Sequence, residues 1–345
     1  MVFGQSLMQD CHTRPLHWGG EDVWSQAKMT TTPIAPLVHR YAGPYLNRYS
    51  EQRKDAAWIE SLSRGPMARF VPVWNQQSLI IESANPRAAL LEASQAGSWL
   101  ANSETIYLGQ FDEHHCFAVE LPQEITPDPG HSFVDVRQVG GLMHPSEAGL
   151  LAYARALIYW RARHRYCGGC GHATKSDSGG QVRICLSTAC GIQAFPRLDP
   201  AIIVLVTLDD KALLGRQSSW PAHRYSTLAG FVEPGESLED AVIREVAEEA
   251  HVEVVALRYH SSQPWPFPSS LMVGFRGLAA PGSQPRAGEE LEDARFVTRD
   301  ELINGSLKLP PSVSISFHLI KEWYEEQPGR DLVADLARQG HPASW

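Results

Sequence analysis

The sequence lacks a long apolar run, since the longest, residues 201–206, covers only the length of one buried strand. A membrane-spanning helix needs about 20 consecutive apolar residues, so we expect no membrane partner. The first 29 residues also lack a basic segment followed by an apolar one, which is the pattern of a secretory signal. We therefore expect a cytoplasmic protein, with the peroxisome as the alternative.

Basic residues are not in excess either. The 30 lysines and arginines stand against 39 aspartates and glutamates, which gives a formal net charge of −9. A long nucleic-acid footprint needs many cations to neutralise phosphates, so the composition argues against one. A small phosphate-bearing ligand held through a metal ion stays compatible with it. We interpret the basic residues 161–165 as a solvated helix end that suits the helix dipole, and contact with RNA phosphates is the alternative.

Cysteine is scarce outside one short segment. Four of the six cysteines lie between positions 167 and 190 with the spacing C-x2-C-x14-C-x4-C. Without a secretion signal, such clustering is typical of a metal site rather than of disulfides. Four thiolates complete the tetrahedral shell of Zn²⁺ and leave no open position, so we predict one structural zinc ion that takes no part in chemistry. Its predicted ligands are Cys167, Cys170, Cys185 and Cys190.

The length of 345 residues exceeds that of one ordinary core, so two or three domains are expected. We predict an extension without fixed structure at residues 1–32, a mixed α/β domain at 33–160, a zinc ribbon at 161–197, a third domain at 198–325 and a polar tail at 326–345. The first domain carries no constellation of reactive side chains, so we expect it to have a structural or dimerising role.

Hydrophobic periodicity predicts the main elements of these domains. The elements expected in the first domain are strands at residues 69–74 and 104–109 and helices at 86–96 and 146–164. The elements expected in the third domain are a hairpin formed by 201–206 and 212–215, strands at 252–260 and 271–278, a segment ending at 297, and a final helix at 312–325. Strands around one strong helix, with a second helix at the end, predict an α+β sandwich.

The most informative segment is a carboxylate-rich helix, which Ser237 and Asp240 begin as a capping box. Glu245, Glu248 and Glu249 stand at i, i+3 and i+4, so their side chains share one helix face. Taken alone, the triplet is best interpreted as a solvated acidic face. Gathered carboxylates also suit hard cations such as Mg²⁺ or Mn²⁺, with Arg244 and Glu236 orienting the ligands.

The surrounding residues favour the metal interpretation. The order Gly230-x5-Glu236-x7-Arg244-Glu245-Val246-x-Glu248-Glu249 resembles the Nudix box at every charged position. The resemblance implies a hydrolase that splits a nucleoside diphosphate linked to another moiety, with the box forming a loop–helix–loop. His251 departs from the pattern, which usually has glycine there as a left-handed helix cap, at a cost on the order of 1 kcal/mol.

A second motif narrows the substrate. Residues 262–270, here called the signature segment, read Ser-Gln-Pro-Trp-Pro-Phe-Pro-Ser-Ser and resemble the SQPWPFPxS motif of the NADH pyrophosphatase branch of Nudix hydrolases. We expect this segment to form a loop, which its three prolines stiffen, and its aromatic rings suit stacking on nicotinamide or adenine. The residues that we expect to contact substrate are Gln263, Pro264, Trp265, Pro266, Phe267, Pro268, Ser269 and Ser270, together with Phe195 and Phe231.

The resemblance implies roles for individual residues. Glu245, Glu248 and Glu249 correspond to ligands of two or more Mg²⁺ or Mn²⁺ ions, with Glu249 indispensable. The Ala229 carbonyl and the Glu290 carboxylate resemble the remaining ligands of the family. Further positions resemble the family's aromatic groups, since Phe231 and Trp265 match a clamp on nicotinamide that a homodimer completes, and Phe195 matches a stacking position often occupied by tyrosine.

The expected function is metal-dependent hydrolysis of the pyrophosphate bond of NADH and NAD(P)(H), which gives AMP and nicotinamide mononucleotide from NAD(H). The same chemistry would remove NAD caps from RNA 5′ ends, and the sequence does not choose between free dinucleotide and capped RNA. Two alternatives stay open: a non-catalytic zinc-ribbon module that binds RNA or protein, and a Nudix hydrolase of another dinucleotide such as ADP-ribose. Loss of the box glutamates would favour the former, but all are present.

Overall fold

The computed structural model describes residues 39–101, 103–122 and 126–341. The extension predicted at residues 1–32 and the last four residues of the predicted tail lie outside this range. Within the described residues, the strands form three sheets. No helix of this part of the chain is long and apolar enough to cross a bilayer.

The first sheet is built before the cysteine cluster. Its strands are β1 (Ala68–Trp74), β2 (Gln77–Ile81), β3 (Arg87–Ala88), β4 (Thr105–Phe111), β5 (His114–Glu120) and β6 (His131–Val134). The helices beside it are α1 (Ala56–Ser63), α2 (Ala93–Ala101), α3 (Val136–Val139) and α4 (Pro145–Arg163). The strand order is β3-β2-β1-β5-β4, with β6 paired to β2. Val71 and Val73 join a core with α4, whereas Phe70 packs in a separate core with α1, so both faces of the sheet are covered.

Three of the four elements predicted here are present, as β1, β4 and α4. The helix predicted at 86–96 is wrong over its first half, where Arg87–Ala88 pairs with Ile80 and Ile81 as β3. The carboxylate of Glu147 also accepts a hydrogen bond of 2.9 Å from the Ala88 N–H. These tertiary partners override the local helix propensity, and the helix begins only at Ala93.

The cysteine segment forms a small antiparallel sheet of β7 (Thr174–Asp177), β8 (Val182–Cys185) and β9 (Gln193–Ala194). A 3-10 turn, Ser178–Gly180, joins β7 to β8 at the tip. The buried amide of Gln181 donates to the Tyr107 carbonyl at 2.9 Å and accepts from the Tyr153 hydroxyl at 3.1 Å. The tip of the ribbon is therefore docked on the first domain.

The third sheet follows the ribbon. Its strands are β10 (Asp199–Leu208), β11 (Lys211–Arg216), β12 (Leu228–Phe231), β13 (Val254–Trp265), β14 (Ser270–Ala279) and β15 (Asp293–Thr298). Its helices are α5 (Leu238–Ala250), α6 (Arg299–Ile303), α7 (Ile315–Glu325) and α8 (Leu332–Arg338). The order is β13-β14-β10-β11-β15, with β12 paired to β10. Ile202 and Val204 face the core with α5, and Ile203 and Leu205 face the core with α7, which makes a sandwich with helices on both faces.

The structure corrects the predicted start of the signature segment. We expected a loop from residue 262, but β13 continues through Trp265, and only the four residues before Ser270 form the turn. Proline inside a strand removes a ladder donor and is tolerated mainly at sheet edges. Pro264 fits this rule because β13 is the outermost strand.

The predicted polar tail contains a packed helix that the sequence analysis missed. Leu332 and Leu336 of α8 are buried in the core beside α7. The Tyr324 hydroxyl donates to Asp335 at 2.7 Å, and Asp331 caps the helix by accepting the Ala334 N–H at 3.0 Å. Two buried leucines in a seven-residue helix are too weak a periodic signal to predict it.

The turn of the signature segment is held by the first domain. The Tyr41 ring lies edge-on to Trp265 and Phe267, with centroids 5.9 and 5.3 Å away. Arg155 of α4 is buried, donates to the Pro266 carbonyl and lies 5.1 Å from the centroid of the Phe267 ring. The first domain therefore positions a segment of the third.

Arg155→Met should lower the free energy of unfolding by about 1–3 kcal/mol, because it leaves the Pro266 carbonyl without its donor. Urea denaturation followed by tryptophan fluorescence measures the change. Arg163→Met is the matched control, since Arg163 lies on the same helix, is exposed and stacks on Tyr159. Its effect should stay below about 0.5 kcal/mol, and equal effects would contradict the anchoring role of Arg155.

Candidate active site

The carboxylate helix α5 has well-defined ends. Ser237 and Asp240 form the predicted capping box, with each side chain accepting the other's backbone N–H. At the far end His251 has φ 55° and ψ 35°, the left-handed conformation expected where the Nudix box usually has glycine. Its Nδ1 lies 3.3 Å from the Arg286 carbonyl, so a hydrogen bond offsets part of the backbone strain.

Arg244 connects the charged residues of the box. Its guanidinium donates twice to Glu236, at 2.5 and 3.0 Å, and once each to Glu245 and Glu248, at 2.9 and 3.0 Å. It also donates to the Phe231 carbonyl at 2.9 Å. The Arg244 contact lowers the pKa of Glu236 to about 2. Arg244 therefore neutralises part of the acidic cluster and fixes the orientation of its members.

Two glycines allow the close approach of backbone to this helix. A Cβ on Gly230 would lie 1.9 Å from the Glu245 carboxyl group, and a Cβ on Gly288 would lie 2.1 Å from the Glu248 carbonyl. The Gly288 N–H donates to the Glu249 carbonyl at 2.8 Å, which holds the loop that carries Glu290 against the end of α5. The leading glycine of the box is thus required by space at the carboxylates.

Glu249 is the most perturbed carboxyl group of the site. Only 6% of the residue is exposed, and its Oε2 has no hydrogen-bond partner among the described residues. Burial raises the pKa of Glu249 to about 7, with further contributions from Glu245 and Glu290, while a hydrogen bond from the Ala229 backbone opposes the shift. A buried carboxylate without a partner is unfavourable. Its surroundings, which include other carboxylates and the Ala229 backbone, fit a divalent cation as that partner.

A cavity of about 370 Å³ lies on the opposite, α7, side of the sheet. Its wall is mainly aromatic and apolar, and its polar groups are few. The side chains that line it include Ile203, Trp220, Tyr225, Trp265 and Met272, and the polar ones Arg224, Ser226, Ser314 and Ser316. One pair of residues in the sheet links the cavity with the carboxylates. Ile203 lines the cavity, and its partner on the neighbouring strand is Ala229, whose backbone is hydrogen-bonded to Glu249. The arrangement suits a ligand with a diphosphate on one side and a planar ring on the other.

The residues of the signature segment lie in different environments. Gln263 is fully buried: its amide donates to the carbonyls of Arg40 and Val313 at 3.2 and 2.8 Å, and its oxygen accepts the Ile315 N–H at 2.8 Å. These bonds use its polar atoms to fix the start of α7. Trp265 lines the cavity.

The other predicted substrate contacts lie elsewhere. Phe267 packs against the core of the first domain, with the Pro266 carbonyl bonded to Arg155. The Ser269 hydroxyl donates to Asp199 at 2.6 Å. Pro264 pairs with Leu271 one residue before the end of β13, Ser270 begins β14, and Pro268 is exposed in the turn. Phe195 and Phe231 are 61% and 60% exposed and do not line the cavity.

Several cavity residues were missed by the sequence analysis. Trp220, Arg224 and Tyr225 stand in an irregular segment before β12, where neither periodicity nor a motif marks them. Ser314, at the N-cap of α7, had the ordinary signal of a helix start. A Trp and a Tyr within six residues just upstream of the Nudix box was the available hint.

The basic cluster at 161–165 is only partly solvated. Arg163 and Arg165 are exposed as expected, but Arg161 is buried and donates to Glu120 at 3.2 Å. A second cavity, of about 620 Å³, lies here between α4 and the ribbon. Glu104 and Glu120 line it together with the arginines that they pair with, so this cavity carries little net positive charge.

The four predicted zinc ligands come together at the base of the ribbon. The Sγ atoms of Cys167, Cys170, Cys185 and Cys190 all lie within 4.8 Å of one another. In each half, a backbone N–H two residues after the first cysteine points at its sulfur at 3.4 Å. The N–H of Gly169 is the largest of the effects that lower the pKa of Cys167 to about 7. Such a cluster of thiolates fits one tetrahedral zinc ion.

Comparisons with known proteins agree with this architecture. Three family models match in order: "NADH pyrophosphatase-like rudimentary NUDIX domain" at residues 67–160, "NADH pyrophosphatase zinc ribbon domain" at 162–195 and "NUDIX domain" at 197–321. The chain is 32% identical to the NAD-capped RNA hydrolase NUDT12 of Homo sapiens, over 90% of this chain and 78% of that protein.

Two further relatives are similar over shorter stretches. Identity is 41% with the NAD-capped RNA hydrolase NudC of Stutzerimonas stutzeri, over 65% of this chain and 78% of that protein. It is 39% with the mitochondrial NAD(P)H pyrophosphatase NUDT13 of Homo sapiens, over 59% of this chain and 62% of that protein.

Cys185→Ser should abolish stoichiometric zinc binding and unfold the ribbon, since removal of one of four ligands opens the closed site. Zinc released by a thiol-blocking mercurial and counted with a colorimetric chelator measures the stoichiometry. Cys116→Ser is the control, because Cys116 is buried in the first domain away from the cluster. One zinc per chain in the Cys185 variant, or none in the wild type, would refute the site.

Glu249→Gln should stabilise the protein in buffer without added divalent cation. The folded state raises the pKa of Glu249 from 4.5 to about 7, so ionisation costs stability as the pH rises through this interval. The gain should be absent below about pH 4.5 and reach on the order of 2 kcal/mol above pH 7. Urea denaturation at several pH values measures it, with exposed Glu253→Gln as control. A pH-independent gain would contradict the buried-charge origin.

Proposed function

The chain belongs to the Nudix hydrolase family, in the NADH pyrophosphatase branch that carries a zinc ribbon, and on this premise we propose that it hydrolyses the pyrophosphate bond of NADH and NAD(P)(H). The products from NAD(H) are AMP and nicotinamide mononucleotide. The observation that supports this most is the buried Glu249 carboxylate, whose Oε2 has no hydrogen-bond partner among the described residues. Its other contact, the Ala229 backbone, pairs in the sheet with Ile203, which lines a ring-sized cavity. A degenerate, non-catalytic domain has no need of such an unfavourable group.

The carboxylates of the box supply the metal-binding groups. Glu245, Glu248, Glu249 and Glu290, with the Ala229 carbonyl, offer the hard oxygen donors that Mg²⁺ and Mn²⁺ prefer. Two or more such ions, when bound, would offset the charge of the diphosphate and lower the pKa of a bound water.

The protein's own groups position the reaction. Arg244 keeps Glu245 and Glu248 oriented through the bonds described above, while Glu236 anchors Arg244 itself. Glu249 itself is buried, and a charge interacts more strongly with a nearby phosphate or cation where water is scarce. The proposed attack is in line on phosphorus, with the leaving nucleotide held in the opposite direction.

The ring-binding groups support a homodimer. Trp265 lines the cavity, but Phe231 and Phe195 present exposed rings outside it. Large exposed aromatic side chains are typical of surfaces that another molecule covers. We propose that a second copy of the chain completes the clamp on nicotinamide.

NAD-capped RNA is the second proposed substrate. NUDT12 and NudC are named as hydrolases of such RNA, and the bond to be cut is the same. The exposed Arg163 and Arg165 at the end of α4 are available for phosphate contacts. The proposed location stays cytoplasmic, with the peroxisome as the alternative.

Glu249→Gln should lower kcat on NADH by at least about 10³-fold, because it removes a charged group from the metal-binding cluster. Release of nicotinamide mononucleotide from NADH, NAD and NAD-capped RNA, with Mn²⁺ or Mg²⁺, measures the effect. Glu253→Gln, which neutralises an exposed carboxylate just beyond α5, should leave kcat within twofold.

The outcomes separate the alternatives. Near-wild-type turnover in the Glu249 variant would sink the catalytic assignment. Hydrolysis of ADP-ribose in preference to all three substrates would instead favour an enzyme for another dinucleotide. An intact zinc-loaded protein without hydrolytic activity would point to a binding module.

A further inference from the structure

One cation of the cavity on the α7 side has no counter-charge. Arg224 is half-buried and lines the cavity, and its buried Nε has no hydrogen-bond partner among the described residues. No Asp or Glu of the described chain lines this cavity, where the neighbouring polar groups are the hydroxyls of Ser226, Ser314 and Ser316. The amide of Gln263 also reaches the cavity, but backbone groups already use its polar atoms.

This arrangement is unfavourable unless a ligand supplies an acceptor. A guanidinium taken out of water loses hydration that a carboxylate, carbonyl or phosphate must replace. The Nε atoms of Arg155 and Arg276 are buried and unpartnered in the same way, but the Nη groups of these two arginines donate to the Pro266 carbonyl and to Glu326. The difference indicates that the partner of Arg224 comes with the substrate.

The backbone around Arg224 is held in place. The Tyr225 N–H donates to the Lys308 carbonyl at 3.0 Å, and the Lys308 N–H donates to the His223 carbonyl at 2.7 Å. The Tyr225 hydroxyl further donates to Asp293 at 2.5 Å. A side chain on such a fixed support recognises a ligand group at a defined position.

The aromatic wall indicates which part of the substrate enters. The cavity volume of about 370 Å³ accommodates one nucleoside, and Trp265 offers its ring to a planar base. Under the proposed function, on which this inference rests, Trp265 stacks on the pyridine ring. The substituent of that ring is then an acceptor within the cavity that Arg224 also lines.

We propose that Arg224 reads this substituent, and that the protein hydrolyses the dinucleotide of nicotinic acid at least as efficiently as NAD. The carboxamide of nicotinamide offers one neutral oxygen to the guanidinium. The carboxylate of nicotinic acid offers two charged oxygens, which match the guanidinium in a paired geometry. The reaction is otherwise unchanged: water adds to phosphorus, and the products are AMP and nicotinic acid mononucleotide.

The first test uses the unmodified protein. We expect kcat/KM for nicotinic acid adenine dinucleotide to equal or exceed that for NAD, by up to about tenfold, the effect of one modest charge-assisted hydrogen bond. A value at or below one tenth of that for NAD would overturn the proposal without recourse to any variant.

Arg224→Met supplies the second test. It should lower kcat/KM for the acidic dinucleotide by about tenfold or more and that for NAD by less, while ADP-ribose, which has no pyridine ring, stays within twofold. Arg338→Met is the matched control, since it neutralises an exposed arginine on α8. It should change none of the three values by more than twofold.

Two results would contradict this assignment. An equal loss for all three substrates would indicate a merely structural role for Arg224. A loss confined to NADPH relative to NADH would show that Arg224 binds the ribose phosphate instead.

Equilibrium binding separates this proposal from the proposed function. Titration of nicotinic acid mononucleotide and nicotinamide mononucleotide into the wild type and the Arg224 variant requires no turnover. We expect tighter binding of the acid by the wild type and loss of this preference in the variant. If no dinucleotide is hydrolysed but this preference is found, the proposed function fails and the role of Arg224 stands. Equal affinities of the wild type for the two mononucleotides would overturn the role of Arg224.

Discussion

The mutual repulsion of carboxylates on one face of α5 is the constraint that organises the rest of the third domain. Three glutamates at helical spacing, with Glu290 nearby, destabilise the fold unless cations compensate. Arg244 compensates part of this charge, and the capping box secures the helix at its other end. Gly230 and Gly288 leave out side chains that would clash with the Glu245 carboxyl group and with the Glu248 carbonyl. The carboxylate cluster is thus unfavourable for folding, and it lies where the chemistry is proposed.

The sequence predicted those parts of the structure that depend on local spacing. The cysteine spacing specifies a sulfur cluster because four thiolates within 24 residues have few other uses. The box predicts α5, its cap and even the left-handed His251, since each feature follows from neighbours along the chain. The long helix α4 was predicted for the same reason, because its apolar residues recur regularly.

The remaining features depend on contacts between distant segments. Ala88 leaves the predicted helix because Glu147 and β2 bind its backbone, and no local signal contains that information. The extension of β13 through Trp265 requires a sheet edge that can tolerate Pro264, which only the strand order reveals. Gln263 was expected to contact substrate, and the structure shows that its amide is hydrogen-bonded to backbone groups of distant residues. Arg224 belongs to no motif, and it stands out only once the structure shows that no described Asp or Glu lines its cavity.

The anchoring of the signature segment bears on how this branch of enzymes can be modified. Its residues are distributed between the cavity, the start of α7 and a surface formed by Tyr41 and Arg155 of another domain. The segment therefore cannot be transferred alone. In a single-domain Nudix protein it would keep its sequence but lose the contacts that hold its conformation. Engineering of ring selectivity in this protein therefore has to treat the two domains as one unit.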